Sequence, residues 1–408
     1  MYLLPQKRRF YRFLRSLHHQ NLGNNSQKAF CRNFSSSAKP VDKLLFTPGP
    51  LTTSYTVKAA ALHDYGSRDQ KFMDVISEVK SGLLSLANVS DSDFACVLMQ
   101  GSGTYSVESM LTSVVPRNGC VLLLINGAYG HRAAKILKYA GIDFEVLVFP
   151  ENEIPNLDMI DQTLKSTPKI TDVFVVHSET TSGIINPIDK IGKVVKKHSK
   201  TYLIDAMSSF GAINIDFQRA NIDYLVSSAN KCIEGIPGFA FCIARKEVFK
   251  LSEGNARSFS LDLFDQDSAS NKTGQFRFTP PTHALLAFRQ ALKEIKAEGG
   301  VEGRFSRYKE NRDLCISRMK EIGFEPYLDA DDESSGCIIT SFRYPKSENW
   351  NFQSFYEKLS EQNMLIYPGK VSNADCFRIG HIGRITPNDT AKLLDTIEDI
   401  SLSMKLFN

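Results

Sequence analysis

From residue 93 onward the chain alternates short β-branched, apolar runs with stretches whose apolar positions recur every three to four residues. Phe94–Met99 reads as a strand, and Tyr105–Val115 as a helix ended by Pro116. Cys120–Asn126, Phe144–Phe149 and Val173–His177 read as further strands. Between them lie helices over His131–Ala140, closed by Gly141, and Leu157–Lys165. Ile188–His198 places Ile188, Ile191, Val194 and Val195 on one helical face. Thr201–Asp205, Tyr224–Ser228 and Phe239–Ala244 complete the strands. Alternation of this kind predicts an α/β fold, a mostly parallel sheet covered by helices on both faces.

After about residue 300 the pattern changes. A charged helix is expected over Arg304–Ile322, a strand over Cys337–Phe342 and a helix over Phe352–Gln362. Two short runs, Leu365–Tyr367 and Phe377–Ile379, precede a last helix from Pro387 to about Met404. The expected division is a large domain over 41–300 and a smaller α+β domain over 301–408, with 41–60 packed on the smaller one.

The first forty residues differ from the rest. Residues 1–41 hold eight Lys or Arg and no Asp or Glu. Phe10, Phe13, Leu14 and Leu17 sit among those charges at helical spacing, and Ser35-Ser36-Ser37 closes the segment. An Arg-rich, acid-free, amphipathic start is the signature of a mitochondrial transit peptide, with a cut expected after Phe34 and delivery to the matrix. The competing reading is a basic tail that binds acidic surfaces. The net charge of +4 belongs to this segment, so the remainder is slightly acidic and offers no basic stripe for nucleic acid. The longest apolar run, Cys120–Ile125, is far short of a membrane span, so neither nucleic acid nor membrane is an expected partner. Eight scattered cysteines without a CxxC pair read as small buried hydrophobes, and no metal site is expected.

Three places carry chemistry. Gly101-Ser102-Gly103-Thr104 lies between a strand and a helix. Its glycines let the backbone approach an anion, and the helix N-terminus offers N–H groups and a positive dipole end. Ser106 stands where a dinucleotide fingerprint needs its third glycine, and the lysine of a P-loop is lacking. Asp205 ends the run Tyr202-Leu203-Ile204, at the strand end where α/β sheets bind ligands. Its competing reading is a cap or turn residue. Lys231 follows an apolar strand and precedes a loop with Gly235, Pro237 and Gly238, a place lysines avoid. A desolvated lysine loses basicity and becomes a nucleophile toward carbonyls. The order of phosphate cup, acid and lysine, each after its own strand, is what lifts the three above chance.

At this point the sequence resembles a known family. The segments LLFTPGPLTTSYTVK (44–58), LMQGSGTYSVES (98–109), NGAYGHR (126–132), VHSETTSGIINPID (176–189), YLIDAMSSFG (202–211), SSANKCIEGIPGFAF (227–241), FRFTPPTH (276–283) and IYPGKVSNADCFRIGHIG (366–383) are similar to class V aminotransferases of pyridoxal 5'-phosphate (PLP) fold type I. Within that family they most resemble the transaminases that pass the amino group of 2-aminoethylphosphonate to pyruvate. The resemblance implies PLP as cofactor, with Lys231 carrying it and Asp205 facing its ring nitrogen. It implies a phosphate cup at Ser102, Gly103 and Thr104, helped by Asn230. Tyr129 would cover the ring and Thr180 would touch its O3′ side. Thr279 would reach the phosphate of a neighbouring subunit, which makes the expected unit a homodimer. Arg378 would bind the substrate carboxylate, and Arg68 the phosphonate. Competing readings are a core aromatic for Tyr129, a turn hydroxyl for Thr180, a surface pair with Asp375 for Arg378 and one with Asp69 for Arg68. Rival functions are an alanine–glyoxylate or serine–pyruvate aminotransferase, a lyase or desulfurase using Cys376, and a non-catalytic protein of the same fold.

Overall fold

Seven strands form the central sheet, and all but the edge strand Asp143–Val148 carry apolar runs that bury both faces. They are β1 (Phe94–Gln100), β2 (Cys120–Ile125), β3 (Asp143–Val148), β4 (Asp172–Val176), β5 (Thr201–Asp205), β6 (Tyr224–Ser228) and β7 (Phe239–Arg245). Their order across the sheet is β1-β7-β6-β5-β4-β2-β3. All neighbours pair in parallel except β7, which runs antiparallel to both β6 and β1. Alternate residues point to opposite faces. Leu122, Leu124, Val173, Val175 and Ile204 enter one core, and Val121, Leu123, Phe174, Val176 and Leu203 the other. This two-sided burial is why the strands read as continuous hydrophobic runs rather than alternating ones.

The computed structural model describes residues 42–329, 332, 334–369 and 374–407. The segment to which the transit peptide is assigned, 1–40, lies outside the described residues. Residues 43–408 form one compact unit.

On one face lie α1 (Gln70–Leu86), and on the other α2 (Gly103–Val114) and α3 (Ala128–Ala140). The first core also takes in α4 (Leu157–Ser166), α5 (Ile188–Lys197) and, beyond α6 (Leu263–Thr273), α7 (Thr282–Ala297). Helices α1, α6 and α7 lie outside the alternation read from the sequence. The long α8 (Gly300–Ile322) leads into the C-terminal part, where β8 (Ile339–Arg343), β9 (Tyr367–Pro368) and β10 (Cys376–Gly380) make a three-stranded sheet in the order β8-β10-β9. With α9 (Phe352–Glu361) and α10 (Pro387–Ser403) they enclose a separate core of Phe324, Phe342, Phe355, Phe377, Ile397 and others. Phe46 joins this core, and Leu44–Leu45 pairs in parallel with Met364–Leu365. Helix α10 starts on a capping box between Thr386 and Asp389, with Pro387 in its first turn. The seven described cysteines are free and buried. No helix of the described residues is long and apolar enough to cross a membrane.

Candidate active site

The sheet brings the candidate residues together at one edge. In a parallel sheet every carboxyl end lies on the same side, and crossover helices leave that edge open to a ligand. Ser102 follows β1, Tyr129 follows β2, Ser178 follows β4, Asp205 ends β5 and Lys231 follows β6. A cavity of about 200 Å³ opens there, lined by Ser102, Gly103, Thr104, Tyr129, Arg132, Ser178, Asp205, Met207, Ser208, Asn230 and Lys231.

The cup begins at Gly101, whose φ of +111° favours glycine, and where a Cβ would stand 2.8 Å from the Tyr105 ring. Its N–H donates to the Gly238 carbonyl at 3.0 Å, which ties the cup to the loop carrying Lys231. Gly103 needs its small size for another reason: a Cβ would meet Met207 Sδ at 2.6 Å. Ser102 is the N-cap of α2, yet its hydroxyl makes no capping hydrogen bond. The first-turn N–H groups and this hydroxyl therefore face the cavity as donors.

Asp205 is buried, and its Oδ1 accepts the Met207 N–H at 2.9 Å. Burial pushes its carboxyl up to about 6, against the stabilising pull of that N–H, Arg132 and Lys231. Burial likewise pushes the Lys231 amine down to about 8, with Cys232 and Asp205 opposing the change. Lys231 Nζ donates to the Pro48 carbonyl at 2.5 Å. Gly49 lies over the side chain so closely that a Cβ would stand 2.7 Å from Nζ. An acid that ionises above pH 6 and an amine that is half neutral near pH 8 share one small cavity.

Around them stands a second group. The Arg132 guanidinium lies 4.7 Å from the Tyr129 ring centre, and its Nη1 donates to Thr104 Oγ1 at 3.2 Å. Thr180 is buried, and its hydroxyl has no hydrogen-bond partner among the described residues. The Thr180 carbonyl accepts from Arg378 Nη1 at 2.8 Å. Arg378 Nε and Nη2 both donate to the Pro368 carbonyl, at 3.1 and 2.7 Å, and the Tyr367 ring lies 4.9 Å from the guanidinium. Among the described residues it meets carbonyls and a ring rather than the Asp375 carboxylate, and its positive charge helps lower the Lys231 amine.

Four expected residues, Thr180, Arg378, Thr279 and Arg68, do not line this cavity. Thr279 is exposed, and its carbonyl accepts from Gln100 Nε2 at 2.5 Å. Arg68 is exposed too, and the neighbouring Asp69 uses its carboxylate to cap α1 by accepting the Lys71 N–H. Sequence reasoning missed Glu179, Arg132, Ser178 and the Pro48-Gly49 cover on Lys231. Arg132 and Glu179 lie inside quoted segments, NGAYGHR and VHSETTSG, but nothing in their spacing reveals where they point.

Comparison with known proteins agrees with this geometry. The family described as aminotransferase class-V matches residues 51–375. A 2-aminoethylphosphonate–pyruvate transaminase of Phocaeicola vulgatus is 45% identical over 360 residues, covering 88% of this chain and 99% of its own. One of Vibrio vulnificus is 46% identical over 357 residues, covering 87% of this chain and 96% of its own. The solved structure of a ureidoglycine–glyoxylate aminotransferase from Bacillus subtilis superposes with a TM-score of 0.82 at 20% identity, over 91% of this chain and 95% of that one. These relatives correct one expectation. They are bacterial proteins, from cells that hold no mitochondria, so the mitochondrial matrix address and the transit peptide read from residues 1–40 are overturned. With a family match over most of its length and relatives near half identity, the chain belongs to the class-V aminotransferases, and its cofactor is pyridoxal phosphate.

Proposed function

We propose that this aminotransferase moves the amino group of 2-aminoethylphosphonate to pyruvate, giving phosphonoacetaldehyde and L-alanine. The observation that supports the reaction class is Lys231 in one cavity with Asp205, its amine pushed down to about 8 by burial. The choice of donor follows the names of the curated relatives at 45–47% identity.

The residues suit the cofactor. A helix start with two glycines fits a phosphate, a buried acid fits a pyridine nitrogen, and the Thr180 hydroxyl, buried without a partner among the described residues, fits a phenolic oxygen. Bound PLP supplies an electron sink for the carbanion formed at the substrate carbon. Lys231 Nζ, neutral enough to act as a base, would take the proton from the substrate carbon that bears nitrogen and pass it to the former aldehyde carbon, and would carry a proton the opposite way in the second half-reaction. Asp205, ionised, would keep a positive charge on the ring nitrogen by accepting a hydrogen bond from its N–H. Ser102, Gly103, Thr104 and Asn230 hold the phosphate, and Tyr129 covers the ring. Arg378 receives the pyruvate carboxylate on its planar guanidinium.

Thr279, exposed on its own chain, is assigned to the phosphate in the partner's site, which makes the active unit a homodimer. Arg68 is assigned to the phosphonate; it stands exposed on the segment before α1, so this role requires that segment to reach the site. Because one cavity serves both substrates in turn, the kinetics are ping-pong.

The experiment is a visible spectrum of the purified holoenzyme, before and after 2-aminoethylphosphonate is added without pyruvate. The cofactor band should disappear and return on adding pyruvate. A band that ignores the phosphonate but responds to alanine or serine would instead assign the chain to the alanine–glyoxylate or serine–pyruvate group.

A further inference from the structure

A helix normally finds its N-cap acceptor locally, from a Ser, Thr, Asp or Asn just before the first turn. Helix α3 does not: its N-cap is Gly127, without a side chain to give. The missing acceptor comes from Glu179, fifty residues away. Glu179 Oε1 accepts the N–H groups of both Tyr129 and Gly130 at 3.1 Å, and Oε2 accepts the Thr181 hydroxyl at 3.1 Å. The glycine is the counterpart of this cap, because a Cβ on Gly127 would stand 2.4 Å from the Glu179 carboxylate. Glu179 is fully buried, and burial pushes its carboxyl up to about 7. A carboxylate in so costly a place is held by what it binds. What it binds is the backbone of Tyr129, whose ring lines the cavity and carries the Arg132 guanidinium. The next residue in the chain, Thr180, holds Arg378 through its carbonyl.

The geometry points to Glu179 as a positioning residue: it sets the Tyr129 ring over the cofactor and, through the Glu179-Thr180 backbone, fixes that ring relative to Arg378. This rests on the reading of Tyr129 as the ring cover. Glu179 touches no reacting atom, so its action shows in how the cofactor is held.

The test compares purified Glu179→Ala, Glu179→Gln and Tyr129→Ala holoenzymes with the unaltered one. Two quantities are read: the visible circular dichroism per bound cofactor, which reports the asymmetry of its setting, and the cofactor dissociation constant. Glu179→Ala should change the dichroism in the same direction as Tyr129→Ala and weaken cofactor binding by about tenfold or more, as expected for lost hydrogen bonds to a charged acceptor. Glu179→Gln keeps an acceptor for both N–H groups and should restore both readouts to within about threefold. A Glu179→Ala holoenzyme with unaltered dichroism and affinity, changed only in melting temperature, overturns the inference while Tyr129→Ala remains altered. Unaltered values in Tyr129→Ala overturn the ring-cover reading itself, and the inference falls with it. Should Glu179→Ala not fold, Gly127→Ala presses on the same carboxylate and must shift the dichroism; unaltered dichroism there overturns the proposal.

Discussion

Lys231 and Asp205 meet pH from opposite sides. The lysine amine is neutral, and so able to capture the cofactor aldehyde, only as pH rises through about 8. Capture of PLP by the cofactor-free chain should therefore accelerate up to about pH 8 and then level off, followed by the growth of the visible band. Asp205 ionises only above about 6. Below that it cannot balance a positive ring nitrogen, so cofactor affinity should decline as pH falls through about 6. Asp205→Asn should remove this limb and lower kcat by about 10²–10³-fold, the usual loss when one preorganised charge is deleted. Arg378→Lys keeps the charge but loses the flat fork; KM for pyruvate should rise by about 10–100-fold. The residues that titrate here were legible because chemistry demands unusual neighbours for them: a lysine after an apolar strand, an acid at a strand end. Glu179 was not legible. Its segment HSETTSG reads as a polar turn, and only the fold reveals that its carboxylate caps a helix that begins at residue 128.

Elements were read most closely where burial on both faces writes continuous apolar runs. Thr201–Asp205 and Tyr224–Ser228 fall at the expected bounds. The reversed direction of β7 was not legible, since a strand's residue pattern is the same whichever way it runs. Helix α1 does carry Phe72, Val75, Ile76, Val79 and Leu83 at helical spacing, but it precedes the strand–helix alternation that organises the rest. Packing between elements is tight enough to test. In α5, a Cβ on Gly192 would stand 1.8 Å from the Ala220 carbonyl oxygen. Gly192→Ala must push helix and loop apart, and should cost about 1–3 kcal/mol. Urea unfolding measures the loss, while the cofactor spectrum of the folded fraction should be unaltered, because Gly192 does not line the cavity.

On the scale of the whole molecule, every residue lining the cavity lies within residues 43–408, the unit that holds the core clusters of the described residues. A chain starting at Lys43 should fold and show the same visible spectrum as the full chain. The dimer reading has its own test. Lys231→Ala chains and Thr279→Ala chains are each expected to be impaired. Mixed and refolded together, they should regain activity, because a hybrid pair builds one site with both residues intact. No recovery would remove Thr279 from the partner's site.

The reversal of β7 also shapes how Lys231 can work. The link from β6 to β7 is only Ala229 to Gly238, and both strands lie inside the sheet. Its ends are pinned, with the Ala229 N–H on the Phe239 carbonyl, and it is braced internally by Gly235 to Ala229 and Glu234 to Lys231. The lysine thus stands on a fixed post rather than on a loop free to swing. Travel of its amine between one reacting atom and the next falls to the four methylenes of the side chain alone, a tether of constant length whose reach is set by the sheet.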